Sequence, residues 1–170
     1  MTKQHHFNVR IAWTGNTGQG TAGYRAYQRD HEIVGPAKTA AILGSSDPAF
    51  RGDAARYNPE ELLVAALSAC HMLSMLHLCA DAGIVVTSYA DDASGTMILD
   101  ADGSGRFREA VLKPRMTITD AGRVPDAEAL HHRAHQLCFI ANSVNFPVRF
   151  EASVVVDAAD PSLPQPSCNN

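Results

Sequence analysis

The 170-residue sequence has no basic excess: fourteen Lys and Arg stand against 18 Asp and Glu, for a formal net charge of -4. Nucleic-acid binding is therefore disfavoured, because a phosphate backbone is held mainly by clustered cations. No Gly-rich turn joins a strand to a helix, so nucleotide folds are poorly supported. No G-x-S-x-G elbow surrounds Ser68 or Ser143, which sets a hydrolase aside. Close metal-ligand pairs of the CxxC or HExxH kind are missing, and there is no internal repeat or low-complexity domain. The first ten residues carry charge and histidine but no apolar stretch of the secretory type, so the expected location is the cytoplasm.

What is present describes a globular chain. Hydrophobic residues make up 45% and charged residues 19%, enough to build a core and without the signature of disorder. The length suits a single domain over residues 1–156, followed by a Pro-rich tail at 157–170. The one long apolar run, Leu62 to Ala80, is interrupted by Ser68, His71, Ser74 and His77 and flanked by Glu60, Glu61 and Asp81. It is expected to be a buried core helix and not a membrane span.

Alternating apolar residues predict a first strand over Phe7–Trp13, a hairpin of Tyr24–Gln28 with His31–Gly35, and a sheet extension over Ala40–Leu43. Asn58-Pro59-Glu60-Glu61 then opens a helix: Asn58 caps it, Pro59 fits the first turn, and the acids face the positive dipole end. Apolar on nearly every side, this helix is expected to be central, covered, and stopped at Gly83. Two long strands, Ile84–Asp100 and Gly105–Thr119, follow as a meander. A second helix runs from Pro125 to about Cys138, and a strand over Val148–Val156 closes the sheet. The order strand, strand, strand, helix, strand, strand, helix, strand is that of an α+β domain whose two helices cover a curved, mostly antiparallel sheet.

Four cysteines in a reducing compartment read as free thiols, metal ligands or redox catalysts more readily than as structural bridges. Cys70 lies too far into its helix for the dipole to stabilise a thiolate, so a reactive Cys70 needs a cation from elsewhere, with Arg51 and Arg56 nearest in sequence. Otherwise it is a small buried hydrophobe. Cys138 ends the second helix, where a thiol can approach a sulfenic acid. Cys79 stands about 13 Å from Cys70 along one helix and cannot bridge to it; it reads as structural, and Cys168 on the tail as incidental. His131, His135 and Cys138 fall at i, i+4 and i+7, with His71 and His77 on the other helix, which is the weaker pattern of a zinc site.

The segment Asn58-Pro59-Glu60-Glu61-Leu62-Leu63-Val64-Ala65-Ala66-Leu67-Ser68-Ala69-Cys70-His71, followed some seventy residues later by Cys138 at a helix end, resembles the OsmC/Ohr family of thiol-dependent hydroperoxide reductases. The resemblance covers most of the chain to Val156. It implies an intertwined homodimer with active sites at the subunit interface, and no metal or organic cofactor. It makes Cys70 the peroxidatic cysteine and Cys138 the resolving one, which closes an intramolecular disulfide. Glu60 matches the family's acid, which orients an arginine that lowers the thiol pKa. Ten helical residues put Glu60 about 15 Å from Cys70, so it acts through an arginine or on the partner chain's site. Arg51 matches the arginine of the OsmC branch most closely, Arg56 stands beside it, and Arg25 is the choice if the chain follows the Ohr branch. His71 replaces the aromatic residue usual after the cysteine, and either tunes the thiolate or packs.

The activity so implied is reduction of organic hydroperoxides, with hydrogen peroxide as a further substrate, by the Cys70–Cys138 pair at the expense of a dithiol reductant. Apolar neighbours (Leu67, Met72, Leu73, Met75, Phe139) favour alkyl peroxides, at about 25 cal/mol per Å² removed from water. The alternative is a non-catalytic module of the same fold that binds an apolar small molecule, with the thiols as packing.

Overall fold

In the computed structural model, residues 3–157 are described; most of the Pro-rich tail, with Cys168, lies outside them. The chain divides into two compact units, Met1–Leu63 and Val64–Asn170.

In the first unit, β1 (Arg10–Trp13), β2 (His31–Val34) and β3 (Ile42–Gly44) form an antiparallel sheet in that order. β1 begins at Arg10, not at Phe7, because only Arg10–Trp13 find partners, from Val34 back to His31. The expected hairpin between Tyr24–Gln28 and His31–Gly35 does not form. Instead the Arg29 guanidinium sits over the rings of Tyr24 and Tyr27, 4.3 and 4.2 Å from their centroids. It also donates to both of their carbonyls, at 2.9 and 2.7 Å. These charge-assisted bonds and cation–π contacts curl the segment into turns and leave β2 free to pair with β1.

The first long helix, α1 (Pro59–Asp81), starts as its sequence predicts. Asn58 Oδ1 accepts from the Glu61 N–H at 2.7 Å and Glu61 Oε2 accepts from the Asn58 N–H at 3.0 Å, a reciprocal capping box. The helix ends at Gly83, whose φ of +67° suits a residue without a Cβ. There the Ile84 N–H reaches back to the Cys79 carbonyl at 2.8 Å.

The second unit holds most of α1, then β4 (Val86–Asp91), β5 (Ser94–Leu99), β6 (Gly105–Leu112), β7 (Pro114–Ile118), α2 (Val124–Leu137), β8 (Val148–Phe150) and β9 (Ser153–Val156). These strands make two sheets, β4-β7-β9 and β5-β6-β8. Pairs β4/β7 and β5/β6 are antiparallel, whereas β9 and β8 add in parallel to β7 and β6. Each of the two long strands expected from the sequence is thus cut in two, as is the closing strand. One cause is a pair of long-range bonds: the Asp91 carboxylate accepts from the Ser68 hydroxyl and the Lys113 N–H, both at 2.6 Å, and Pro114 follows without an N–H to donate. The α+β class holds, with nine strands among the described residues.

The expectation that α1 is covered on nearly all sides is corrected. Its buried residues are Leu67, His71, Met75 and Cys79, one stripe at every fourth position. Leu73, on another face, is 62% exposed. The stripe feeds two clusters: Met75 and Cys79 pack with Ile84, Met116, Ile118, Ala127 and Ala134, and Leu67 with Ala110 and Leu112.

Replacing the cap tests the start of α1: Asn58→Ala is expected to cost about 1 kcal/mol of stability, read from the urea midpoint at unchanged slope.

Candidate active site

Two of the residues singled out in the sequence meet in the second unit. Cys138 is the residue on which α2 ends, in an extended conformation with φ -69° and ψ 105°. Its side chain is 1% exposed. The sulfur lies 4.0 Å from the Leu67 carbonyl, to which the thiol donates, and accepts from the Ala141 N–H at 3.5 Å. Leu67 stands one turn before Cys70 on α1, and the Cys70 thiol lies near enough to Cys138 to influence its ionisation. Burial pushes the Cys138 thiol up to about 11, with the Cys70 thiol adding to the rise and the Ala141 and Ile140 N–H groups opposing it. Cys70 itself is half-buried, so one accessible thiol faces one buried, protonated thiol. Cys79 is wholly buried in the core and burial raises its pKa, in keeping with a structural part.

Glu60 and the three arginines belong to the first unit. Arg56 is engaged: its Nε lies 3.3 Å from Asp30 and 3.7 Å from Asp53. Asp30 in turn accepts from the buried Ser45 hydroxyl at 3.1 Å, so this arginine ties the sheet to the loop before α1. Arg51 differs. It is exposed and forms no ion pair among the described residues, and its φ of +67° is unusual for a side chain of its size. A tight turn holds it there: the Asp47 carboxylate accepts from the Ala49 N–H at 2.7 Å, and the Arg51 N–H donates to Pro48 O at 3.0 Å. Gly52 follows by necessity, since a Cβ there falls 1.5 Å from Ser46 O. Arg25 is exposed on the turn segment, and Glu60, in the first turn of α1, is half-buried and in no ion pair among the described residues.

The histidines do not form the zinc site that their spacing allows. No group of three or more His, Cys, Asp or Glu converges on a metal position among the described residues. His71 and His131 instead face each other, fully buried, with His71 Nε2 3.0 Å from His131 Nδ1. His77 is exposed, 3.5 Å from Asp81. Ser68 spends its hydroxyl on Asp91, which disposes of it as a nucleophile. The pairing of His71 with His131 went unseen in the sequence, although His71 shares the i, i+4 stripe of Leu67, Met75 and Cys79.

The contrast in access predicts selective labelling. In native reduced protein, iodoacetamide is expected to modify Cys70 while Cys79 and Cys138 react only after unfolding, as peptide mass spectrometry reads directly.

The fold has known counterparts. The family model for OsmC-like protein matches residues 52–153. No curated protein matches the chain in sequence. Among solved structures, an OsmC-like protein of unknown function from Vibrio cholerae is 30% identical at a TM-score of 0.79, over 88% of this chain and 100% of its own. An organic hydroperoxide resistance protein from Elizabethkingia anophelis is 16% identical at a TM-score of 0.62, over 92% of this chain and 100% of that one. Another, from Bacillus subtilis, is 19% identical at 0.56, over 86% and 98%. At these two identities the likeness speaks for the fold, whereas the family model spans more than half of the sequence, and the chain belongs to the OsmC-like protein family.

Proposed function

We propose that the chain is a thiol-dependent hydroperoxide reductase with Cys70 as the peroxidatic and Cys138 as the resolving cysteine. The observation that carries this reading is the closeness of a half-buried Cys70 to a buried Cys138, whose thiol pKa burial pushes up. The Cys70 thiolate attacks the outer peroxide oxygen: an S–O bond forms, the O–O bond breaks, and the alkoxide takes a proton and leaves as alcohol. Cys138 then attacks the sulfenic sulfur; an S–S bond forms, and the hydroxide leaves as water with the Cys138 proton. A dithiol reductant exchanges with the disulfide, restoring two thiols and becoming a disulfide itself. Neither step calls on a metal or an organic cofactor.

Arg51 is the arginine we assign to the Cys70 thiolate, with Glu60 orienting it. In support, Arg56 is already bound to Asp30 and Asp53, while Arg51 is presented by a hydrogen-bonded turn and has no ion-pair partner among the described residues. A homodimer belongs to the same reading. Each unit exposes apolar residues that a second copy could cover, Ile11 on β1 in the first and Leu73 on α1 in the second among them. We place the protein in the cytoplasm, as one functional domain over residues 1–156.

A second reading has one observation in its favour. Leu76, Ala80, Gly83, Ile84, Val85 and Val86 line an open apolar groove of about 360 Å³ that includes neither thiol, which suits a module that binds an apolar small molecule without chemistry.

Peroxide consumption separates the two. With cumene hydroperoxide and dithiothreitol, the wild type is expected to turn over and Cys70→Ser to fall to the uncatalysed rate. Cys138→Ser is expected to yield a sulfenic acid that dimedone traps, and no disulfide. Full consumption by Cys70→Ser removes the peroxidase reading, and a wild type that consumes none favours the binding module.

A further inference from the structure

Between the two core clusters of the second unit lies a polar contact that the proposed chemistry does not use. The rings of His71 and His131 are nearly parallel, 12° apart, with centroids 5.3 Å from each other. Phe150 of β8 stacks on both, at 5.5 and 5.9 Å. In the bond between His71 Nε2 and His131 Nδ1, one nitrogen donates and the other accepts. The outer nitrogens, His71 Nδ1 and His131 Nε2, are buried with no partner among the described residues. The pair is therefore built to be neutral: each ring carries one proton, and neither has a counter-ion in contact.

Its place in the chain gives the contact a role. His71 is the residue after Cys70, and His131 precedes Cys138 by seven residues, two turns on one face of α2. On α1, His71 is one turn beyond Leu67, whose carbonyl receives the Cys138 thiol. Met75 and Cys79 of α1 share a core cluster with Ala127 and Ala134 of α2, but apolar packing has no direction and tolerates sliding. An N–H···N bond does not.

We infer that the His71–His131 hydrogen bond is an acid-sensitive clamp that fixes α2 on α1 in the register that holds Cys138 against Cys70. The inference deepens the proposed thiol chemistry, but the clamp can be observed without any peroxide.

Protons oppose the clamp. A first added proton puts an uncompensated charge between the helices, and a second removes the acceptor altogether. His132 and His135 on α2 pack their rings against Phe150 at 5.1 and 5.7 Å and add like charge when protonated. Asp91 on β4 pulls the other way but is already committed to Ser68 and Lys113. Burial lowers His71 to about 4, with repulsion from His135 adding and Asp91 opposing. Burial likewise lowers His131 to about 4, with His71 and His132 adding. An opened segment whose imidazoles titrate near 6.5 takes up protons first. The closed state is thus favoured above pH 6.5 and loses its advantage as the pH falls toward 4.

Amide hydrogen exchange of the reduced protein, corrected for intrinsic rates, tests this. Residues 134–143 are expected to lose about tenfold or more in protection from pH 7 to pH 5, with β4 and β7 unchanged. The double variant His71→Phe/His131→Phe, which keeps the ring stack and removes both orphaned nitrogens, is expected to lose this dependence. Should that variant not fold, nitrogen-15 imidazole spectra of the wild type serve, with neutral His71 and His131 joined by one N–H···N bond down to about pH 5. Flat protection in the wild type, equal losses in β4 and β7, a step that persists in the variant, or imidazoles that titrate near 6.5 each overturn the clamp. At pH 7, diamide should close the Cys70–Cys138 disulfide faster in the wild type than in His131→Leu, and equal rates overturn the positioning role. If these results hold while no peroxide is consumed, the clamp stands and the peroxidase reading falls.

Discussion

The second unit depends on one stripe of α1. Leu67, His71, Met75 and Cys79 recur every fourth residue and are the buried residues of a 23-residue helix. Because i, i+4 positions drift slowly around a helix, a stripe of this kind can serve two neighbouring clusters in succession. Leu67 enters the cluster with Ala110 and Leu112, and Met75 and Cys79 enter the one with Met116 and Ile118. His71 falls at the seam, where a fully buried imidazole costs free energy unless something answers it. His131 answers one nitrogen and leaves the other without a partner. The two clusters are thus joined by a polar pair, which adjoins the residue that carries the accessible thiol.

How much of this was legible depended on whether the cause was local. The start of α1 could be read residue by residue, since Asn58, Pro59 and Glu61 act on a single turn of backbone. The expected hairpin at Tyr24–Gln28 failed because alternation is only one claim on a segment. Arg29 offered the Tyr24 and Tyr27 carbonyls a charged donor and their rings a cation, and no period-two pattern encodes that competition. The long strands were cut by Asp91, which draws its donors from Ser68, 23 residues back, and Lys113, 22 residues on. Such a partner set is invisible to any local window.

The thiol pair shows a different limit. Chemistry alone left Cys70 and Cys138 as two buried cysteines in different helices, and only the family resemblance joined them before their contact was seen. The histidines illustrate the reverse. His131, His135 and Cys138 share a face of α2 at ligand-like spacing, yet His131 turns to a residue sixty positions away and His135 to Phe150. Spacing on one helix says which side chains are neighbours, and the opposing element decides what they do.

The buried state of Cys138 bears on how a disulfide would form here. Burial raises its pKa and so keeps the thiolate fraction at neutral pH well below that of an ordinary cysteine. A free thiol so poorly ionised is a slow nucleophile, since the attacking species is the thiolate. Closeness to Cys70 would offset this if the two sulfurs reach a reacting geometry, because well-oriented groups gain effective concentrations of roughly 10⁵ M or more over free reactants. The same protonation has a use, as the hydroxide displaced from a sulfenic sulfur needs a proton and the attacking thiol carries one. In the proposed chemistry, what the site lacks in ionisation would have to be recovered in position, so whatever holds α2 in register on α1 would bear on a resolving step as directly as the state of the thiol itself.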